Sequence, residues 1–241
     1  MVKLSRKRHS KRLARAGWIT ALLFSCSTPI LAAEDELGAW IIVSGNDPIR
    51  INGEPTPWRF AFDAQNRHVE DTVGFRQYLL RPSVGYTLDS GVQVWFGFGR
   101  FETEPANGRA RFENRYWQQL NLKLGNFGGG TLSGRLRVEE RLLSTGDDTA
   151  VVARVMLRYT KPFGNARGQY WAFGVEPFID FRDTDWGAEE GVSQNRVTLG
   201  IGRTVSEHLS VEMGYMNQYF FRQTRQDRSN HLATVNFRMN F

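Results

Sequence analysis

HLATVNFRMNF, residues 231–241, alternates in hydropathy from end to end, and that alternation decides the fold. Ala233, Val235, Phe237, Met239 and Phe241 fall on one side of an extended chain, with Thr234, Asn236, Arg238 and Asn240 on the other. A soluble sheet would bury the apolar side against a second layer. A membrane barrel turns it to lipid and turns the polar side to the lumen.

Working back from this stretch, the same period recurs. Trp58, Phe60, Phe62 and Ala64 oppose Arg59, Ala61, Asp63 and Gln65. Tyr78, Leu80, Val84 and Tyr86 oppose Gln77, Arg81, Ser83 and Thr87, and Val94, Phe96 and Phe98 oppose Gln93, Trp95, Gly97 and Gly99, where the glycines leave room for bulky neighbours. In the middle of the chain Glu113, Arg115, Trp117, Gln119, Asn121 and Lys123 form one column, followed by Ser133, Arg135, Arg137, Glu139 and Arg141. Each faces away from leucines and valines. Arg154 and Arg158, then Glu176, Asp180 and Arg182, then Arg196, and finally Glu212 continue the polar side. Soluble sandwiches alternate too, but they rarely stack Arg and Glu mid-strand beneath an aromatic-rich opposite face. The expected fold is all-β, a transmembrane antiparallel up-and-down β-barrel of ten to twelve strands.

Connections predict orientation. The segments 66–72, 100–111, 144–150, 182–193 and 222–229 belong to one rim and are on average longer than 89–91, 125–130, 162–168 and 204–208 at the other. In an outer-membrane barrel the longer set faces outward. Ten strands run from Trp58 onward. Leu37 to Ser44 would add an eleventh, of ambiguous phase, whereas a single-chain bacterial barrel calls for an even number. Either Ile49 to Asn52 pairs as a twelfth, or the N-terminal segment lies outside a ten-stranded wall. Gly45 to Pro57, rich in Gly, Pro, Asn and Asp, reads as a turn or irregular link.

The front of the chain has the layout of an export signal. Seven basic residues and no acid precede Gly17, an apolar run follows from Trp18 to Phe24, and Ala32-Ala33 stand before Glu34-Asp35-Glu36. The expected organisation is a leader over 1–33, an N-terminal strand and link over 34–57, and the barrel over 58–241. Cys26 fits a lipoprotein site poorly, because Phe24 stands where that signal prefers a smaller side chain. The chain has 31 basic and 25 acidic residues, but without the leader the balance is 24 against 25. The basic pI therefore belongs to the leader and gives no case for nucleic acid. Lys123 and Lys161 are the only lysines past the leader, and such a preference for Arg suits ordered ion-pair networks. The sole cysteine is Cys26, so the mature chain would lack disulfides and thiolate chemistry.

Several blocks carry a family resemblance: LLRPSVGY (79–86), ENRYWQQL (113–120), RLRVEER (135–141), QNRVTLGIG (194–202), EMGYMNQY (212–219) and NHLATVNFRMNF (230–241). In these the chain resembles an uncharacterised bacterial outer-membrane β-barrel family catalogued as domain of unknown function 2490. The resemblance implies an outer-membrane barrel and carries over no activity and no functional residue. The ending also resembles the closing strand of such barrels, whose terminal Phe signals assembly, so Phe237, Met239 and Phe241 are the expected assembly signal.

The candidate functional region is the lumen. Its expected charge network is Glu113, Arg115, Arg135, Arg137, Glu139, Arg141, Arg154, Arg158, Glu176, Asp180, Arg182, Arg196 and Glu212, with Arg59, Asp63, Arg81, Lys123 and Arg238 on the same face. Positive charge is in excess. A narrow barrel packed with Arg and Glu is the expected arrangement; an anion-favouring small-solute channel is the alternative. A lipid-modifying or hydrolytic enzyme is a further alternative, resting on His68 or His231 within reach of Ser193, Ser229, Asp183 or Asp185. No spacing demands catalysis, and no cofactor or metal is expected. Gly128 to Gly130 reads as a turn, and Asp147-Asp148 and Glu189-Glu190 as solvated acids. Arg222, Arg225 and Arg228 in the last long loop are candidates for contact with lipopolysaccharide phosphates. Expected partners are outer-membrane lipid, lipopolysaccharide and the barrel-assembly machinery.

Overall fold

The computed structural model describes residues 33–70, 75–164 and 168–241. The expected leader lies outside these except for Ala33, and Cys26 lies outside them altogether. No described residue is helical. The strands are β1 (Glu34–Ile51), β2 (Glu54–Glu70), β3 (Phe75–Leu80), β4 (Ser83–Thr87), β5 (Gln93–Pro105), β6 (Arg111–Phe127), β7 (Gly130–Leu143), β8 (Thr149–Pro162), β9 (Gln169–Asp180), β10 (Gly191–Ser206), β11 (Leu209–Phe220) and β12 (Arg228–Met239).

Twelve strands make eleven staves. β3 and β4 both pair with β2 on one side and β5 on the other, so they are one stave broken at Arg81-Pro82. Proline has no N–H to give the ladder. The break is bridged by Arg81 N–H to Asp63 O at 2.8 Å and Phe98 N–H to Pro82 O at 3.2 Å.

Every wall neighbour is antiparallel except at the seam. There β1 pairs with β12 in parallel, from Glu34 opposite Arg228 to Gly45 opposite Met239. This corrects the expectation of an even count. An odd number of up-and-down staves closes only if its first and last run the same way, and the evenly spaced bonds of a parallel pair supply that closure. Residue 34 therefore stands at the end carrying 106–110, 144–148, 181–190 and 221–227, and the C-terminus stands at the end of the short turns. The two sets of connections lie at opposite ends, as the alternation of strands requires.

The link expected over 45–57 is instead a hairpin, with Asn52 (φ 53°) and Gly53 (φ 86°) at its turn. Positive φ at both positions is what a two-residue type I′ turn requires. Past Gly45 β1 has no β12 partner, and before Trp58 β2 has no β4 partner. The tip thus projects from the short-turn rim as a two-stranded ribbon. Proline is tolerated there because no wall ladder is interrupted, and the register slips between Pro48 and Arg50.

The polarity of the wall is the reverse of a soluble barrel's. Ile41, Phe60, Leu80, Val84, Phe96, Leu136, Leu157, Phe173, Leu199 and Met213 are exposed on the outer face, while Arg67, Arg137, Glu139, Arg154 and Glu176 are buried inside. Polar outward positions such as Asp35, His68, Arg76, Arg100 and Glu140 gather toward the long-loop end. Inside, large rings fill the space that glycines vacate: a methyl group on Gly97 would stand 2.1 Å from the Trp117 indole.

Candidate functional site

Alternation sends every second side chain of β6, β7, β8 and β9 inward, and register sets Glu139 of β7 level with Trp117 of β6 and Val152 of β8. Glu139 has no exposed surface. Four guanidinium groups surround its carboxylate: Arg154 Nη1 at 2.6 Å, Arg141 Nη2 at 2.7 Å, Arg137 Nη1 at 3.3 Å and Arg115 Nη1 at 3.5 Å. Arg154 also grips Glu176, through Nε at 3.0 Å and Nη2 at 2.9 Å, and Arg135 Nη2 adds a bond of 2.6 Å. Only a planar fork can bridge two carboxylates in this way, which accounts for the use of Arg over Lys. Outlying pairs join Arg115 to Glu113 at 2.8 Å, Arg158 to Glu212 at 2.5 Å and Arg81 to Asp63 at 3.0 Å.

The guanidinium planes also stack on rings. Arg115 lies 3.8 Å from the Phe101 centroid, Arg137 lies 4.2 Å from that of Trp117 and Arg154 lies 4.3 Å from that of Phe178. Charge and packing together set Glu139, Arg154 and Glu176 in one buried cluster reaching across β7, β8 and β9. On its long-loop side is a cavity of about 360 Å³, bounded by Arg67, Arg115, Arg141, Arg196 and Arg228 among others. Toward the short turns a separate space of about 240 Å³ is bounded by Asp63, Arg81, Trp95, Arg135 and Arg137. These two cavities share no lining residue.

Most of the expected network is thus brought together. Arg182 is not, because β9 ends at Asp180 and Arg182 stands exposed in the following loop. Asp180 faces in, but its partner is the Ser193 hydroxyl, which donates to it. Sequence reasoning missed Glu36, Trp40 and Arg67. β1 had no assigned phase and β2 was ended at Gln65, although carrying its parity two residues further would have turned Arg67 inward.

The last long loop is also corrected. Arg228 opens β12 with the inward parity of Asn230 and Leu232, lies 3.7 Å from Glu36 and bounds the outer cavity. Arg222 is half-buried and 3.5 Å from Glu34, so Arg225 alone of the three is exposed. The three side chains are therefore not gathered on one exposed face. The last strand pairs with β1 and β11: Phe237 and Met239 face outward, and Phe241 donates its N–H to Asp47 Oδ2 at 2.8 Å and sets its ring 6.0 Å from that of Phe62.

Of the histidines, His231 has the company a catalyst would want. Its Nε2 is 3.3 Å from Ser229 Oγ and 3.2 Å from Asp35 Oδ1, its Nδ1 is 2.6 Å from Tyr215 Oη, and Asn217 Nδ2 donates to Ser229 Oγ at 2.8 Å. Serine and carboxylate compete for one nitrogen, however, and no carboxylate orients the other, so the relay by which histidine activates serine is not assembled. Ser193, Asp183 and Asp185 are held elsewhere, the two aspartates accepting backbone N–H groups of Glu190, Asp147 and Asp148. Among the described residues no three His, Cys, Asp or Glu side chains are grouped to hold a metal.

The fold and its interior define a closed β-barrel with an ion-paired core and an apolar exterior. Residues 37–230 match the family described as a protein of unknown function, DUF2490, and the chain belongs to that family. It is similar to an uncharacterized protein of Methylorubrum extorquens, 32% identical over 161 residues, covering 66% of this chain and 71% of the relative. No solved structure matches.

Proposed function

We propose that this chain is an outer-membrane β-barrel, exported by a cleaved leader, whose interior is closed to free diffusion by the Glu139–Arg154–Glu176 septum. The observation that carries this reading is the reversed polarity of the wall. An apolar band of exposed Ile, Leu, Val and Phe encircling a charged interior has no stable place in water, since contiguous exposed apolar surface of that extent calls for a covering. Hydrocarbon is that covering, and a closed sheet leaves no backbone group unsatisfied within it. Exposed aromatic side chains near the short-turn rim, Trp58, Tyr86 and Trp171, suit the headgroup level. Lipopolysaccharide and outer-leaflet lipid would then surround the long-loop half, and the barrel-assembly machinery would insert the wall.

Anion conduction draws support from the interior's excess of arginine. Against it stands the burial of Glu139, which with its arginines lies between two cavities that share no lining residue. The geometry at His231 favours a polar rim contact over hydrolysis, and no catalytic role is assigned to it.

The test is refolding of the leaderless chain. In detergent micelles or lipid vesicles it is expected to become a compact species whose gel migration shifts on boiling, and in detergent-free buffer to aggregate. A monodisperse, folded chain in detergent-free buffer would overturn the membrane reading.

A further inference from the structure

The septum consumes the carboxylates, and the outer cavity is left with arginines that have none. Arg67 is buried, yet its guanidinium bonds only neutral amides, Gln65 Oε1 and Gln77 Oε1, each at 2.8 Å. Arg196 meets Gln194, whose amide oxygen, turned toward it, accepts from Nη2 at 3.2 Å and from Gln218 Nε2 at 3.1 Å. Among the described residues neither arginine has a carboxylate within 4.0 Å. Both lie over one ring, that of Trp40, at 4.0 Å and 5.1 Å from its centroid. Among the described residues Glu113 is the one acid bounding the cavity; Arg115 pairs with it and with Glu139, Arg141 with Glu139 and Arg228 with Glu36, so Arg67 and Arg196 are the two buried cations here without a carboxylate.

A second observation is independent of charge. The Trp40 indole is 3% exposed and bounds the same cavity, and among the described residues its N–H, itself shut off from solvent, has no hydrogen-bond partner, so nothing polar competes with the two arginines over its ring. Like charges gathered in a low dielectric are costly. An anion in the cavity relieves them. The remaining walls combine rings, Phe75, Phe178, Trp186 and Phe220, with amides such as Gln77 and Gln194, so the space offers aromatic surface to an apolar body and polar groups to an anionic head. At about 360 Å³ it holds a compact molecule rather than a chain.

We infer that the cavity on the long-loop side of the septum is a binding site for a small organic anion. Its carboxylate is held by the forks of Arg67 and Arg196 beside the Trp40 ring, and its apolar part packs among the surrounding rings. Bidentate recognition by Arg is the chemistry that planar carboxylates fit. The site needs the barrel interior but not a closed septum, so conductance of the wild-type protein would leave it standing.

Titration calorimetry of the full mature chain, refolded in detergent, tests this with benzoate as probe. Benzoate is expected to bind saturably at one site. Benzyl alcohol, which keeps the ring and lacks the charge, is expected not to bind, and inorganic phosphate is expected to bind at least tenfold more weakly. R67Q and R196Q should each weaken benzoate at least tenfold and R225Q should leave it unchanged, with heat-shifted gel migration verifying that each variant is folded. Because Arg67 is buried, R196K serves as the milder variant: it keeps the charge, loses the fork, and should still weaken binding. Absence of saturable benzoate binding, phosphate binding as tight as benzoate, or unchanged affinity in folded R196Q would each overturn the assignment.

Discussion

Glu139 carries more of the interior than any other side chain, since one carboxylate with no exposed surface answers four arginines. Removing one member of a buried ionic group costs more than the group contributes, because the partners stay buried and uncompensated. E139Q is therefore expected to destabilise the folded barrel by about 3–5 kcal/mol in urea unfolding from vesicles. R225Q, at an exposed loop position, should stay within about 0.5 kcal/mol. Equal effects would mean that the septum is not the stabilising feature it is taken to be. At this scale the interior was largely legible, because period-two parity places Arg135, Arg137, Glu139 and Arg141 in one column without any tertiary knowledge. The particular pairs were not legible. Which arginine grips Glu176 depends on register across β7, β8 and β9, and Arg154 reaches two acids from neighbouring strands.

Among the elements, the N-terminal hairpin shows where pattern reading fails. Pro48, Pro55 and Pro57 look like punctuation, and they would be in a wall strand; in a ribbon beyond the rim they break nothing. Asn52-Gly53 was a legible hairpin signal that the surrounding prolines obscured. The loops at the opposite end are tied to one another. Asp185 accepts the N–H of Asp147 at 2.9 Å, and Trp186 Nε1 donates to Asp148 O at 2.8 Å. Glu189 accepts the N–H of Gln223 at 2.7 Å and the Thr224 hydroxyl at 2.9 Å. The Gln223 N–H first, then the Thr224 hydroxyl, hold the Glu189 carboxyl below the ordinary glutamate value, with Arg225 assisting and Asp183 opposing. A depressed acid contributes its full share above its unfolded pKa and loses it as pH falls through the folded one. The tie between loops 181–190 and 221–227 should thus hold at neutral pH and loosen below the ordinary glutamate range. Hydrogen exchange at Gln223 is the readout: its amide should lose protection on acidification in the wild type, and E189Q should show a much smaller pH response. Equal protection of the wild type at both ends of that range would contradict the tie.

For the molecule as a whole, barrel class followed from repetition of one period along the chain, but closure did not. A parallel seam between the first and last staves is a contact across nearly the whole sequence, and no local pattern announces it. β1 is apolar on both faces, with Ile42 and Trp40 turned inward beside Ile41 and Val43 turned outward, so even its phase needed its neighbours. Closure in turn fixes how wide the interior is and brings side chains of β6, β7, β8 and β9 within reach of one another, which the proposed septum requires. The central claim is that this interior is shut, and single-channel recording in planar bilayers addresses it most directly. The refolded wild-type chain is expected to give no conductance steps, while the triple variant Glu139→Ala, Arg154→Ala, Glu176→Ala, once shown to be inserted, is expected to conduct. Steady, reproducible steps from the wild-type protein would contradict the account.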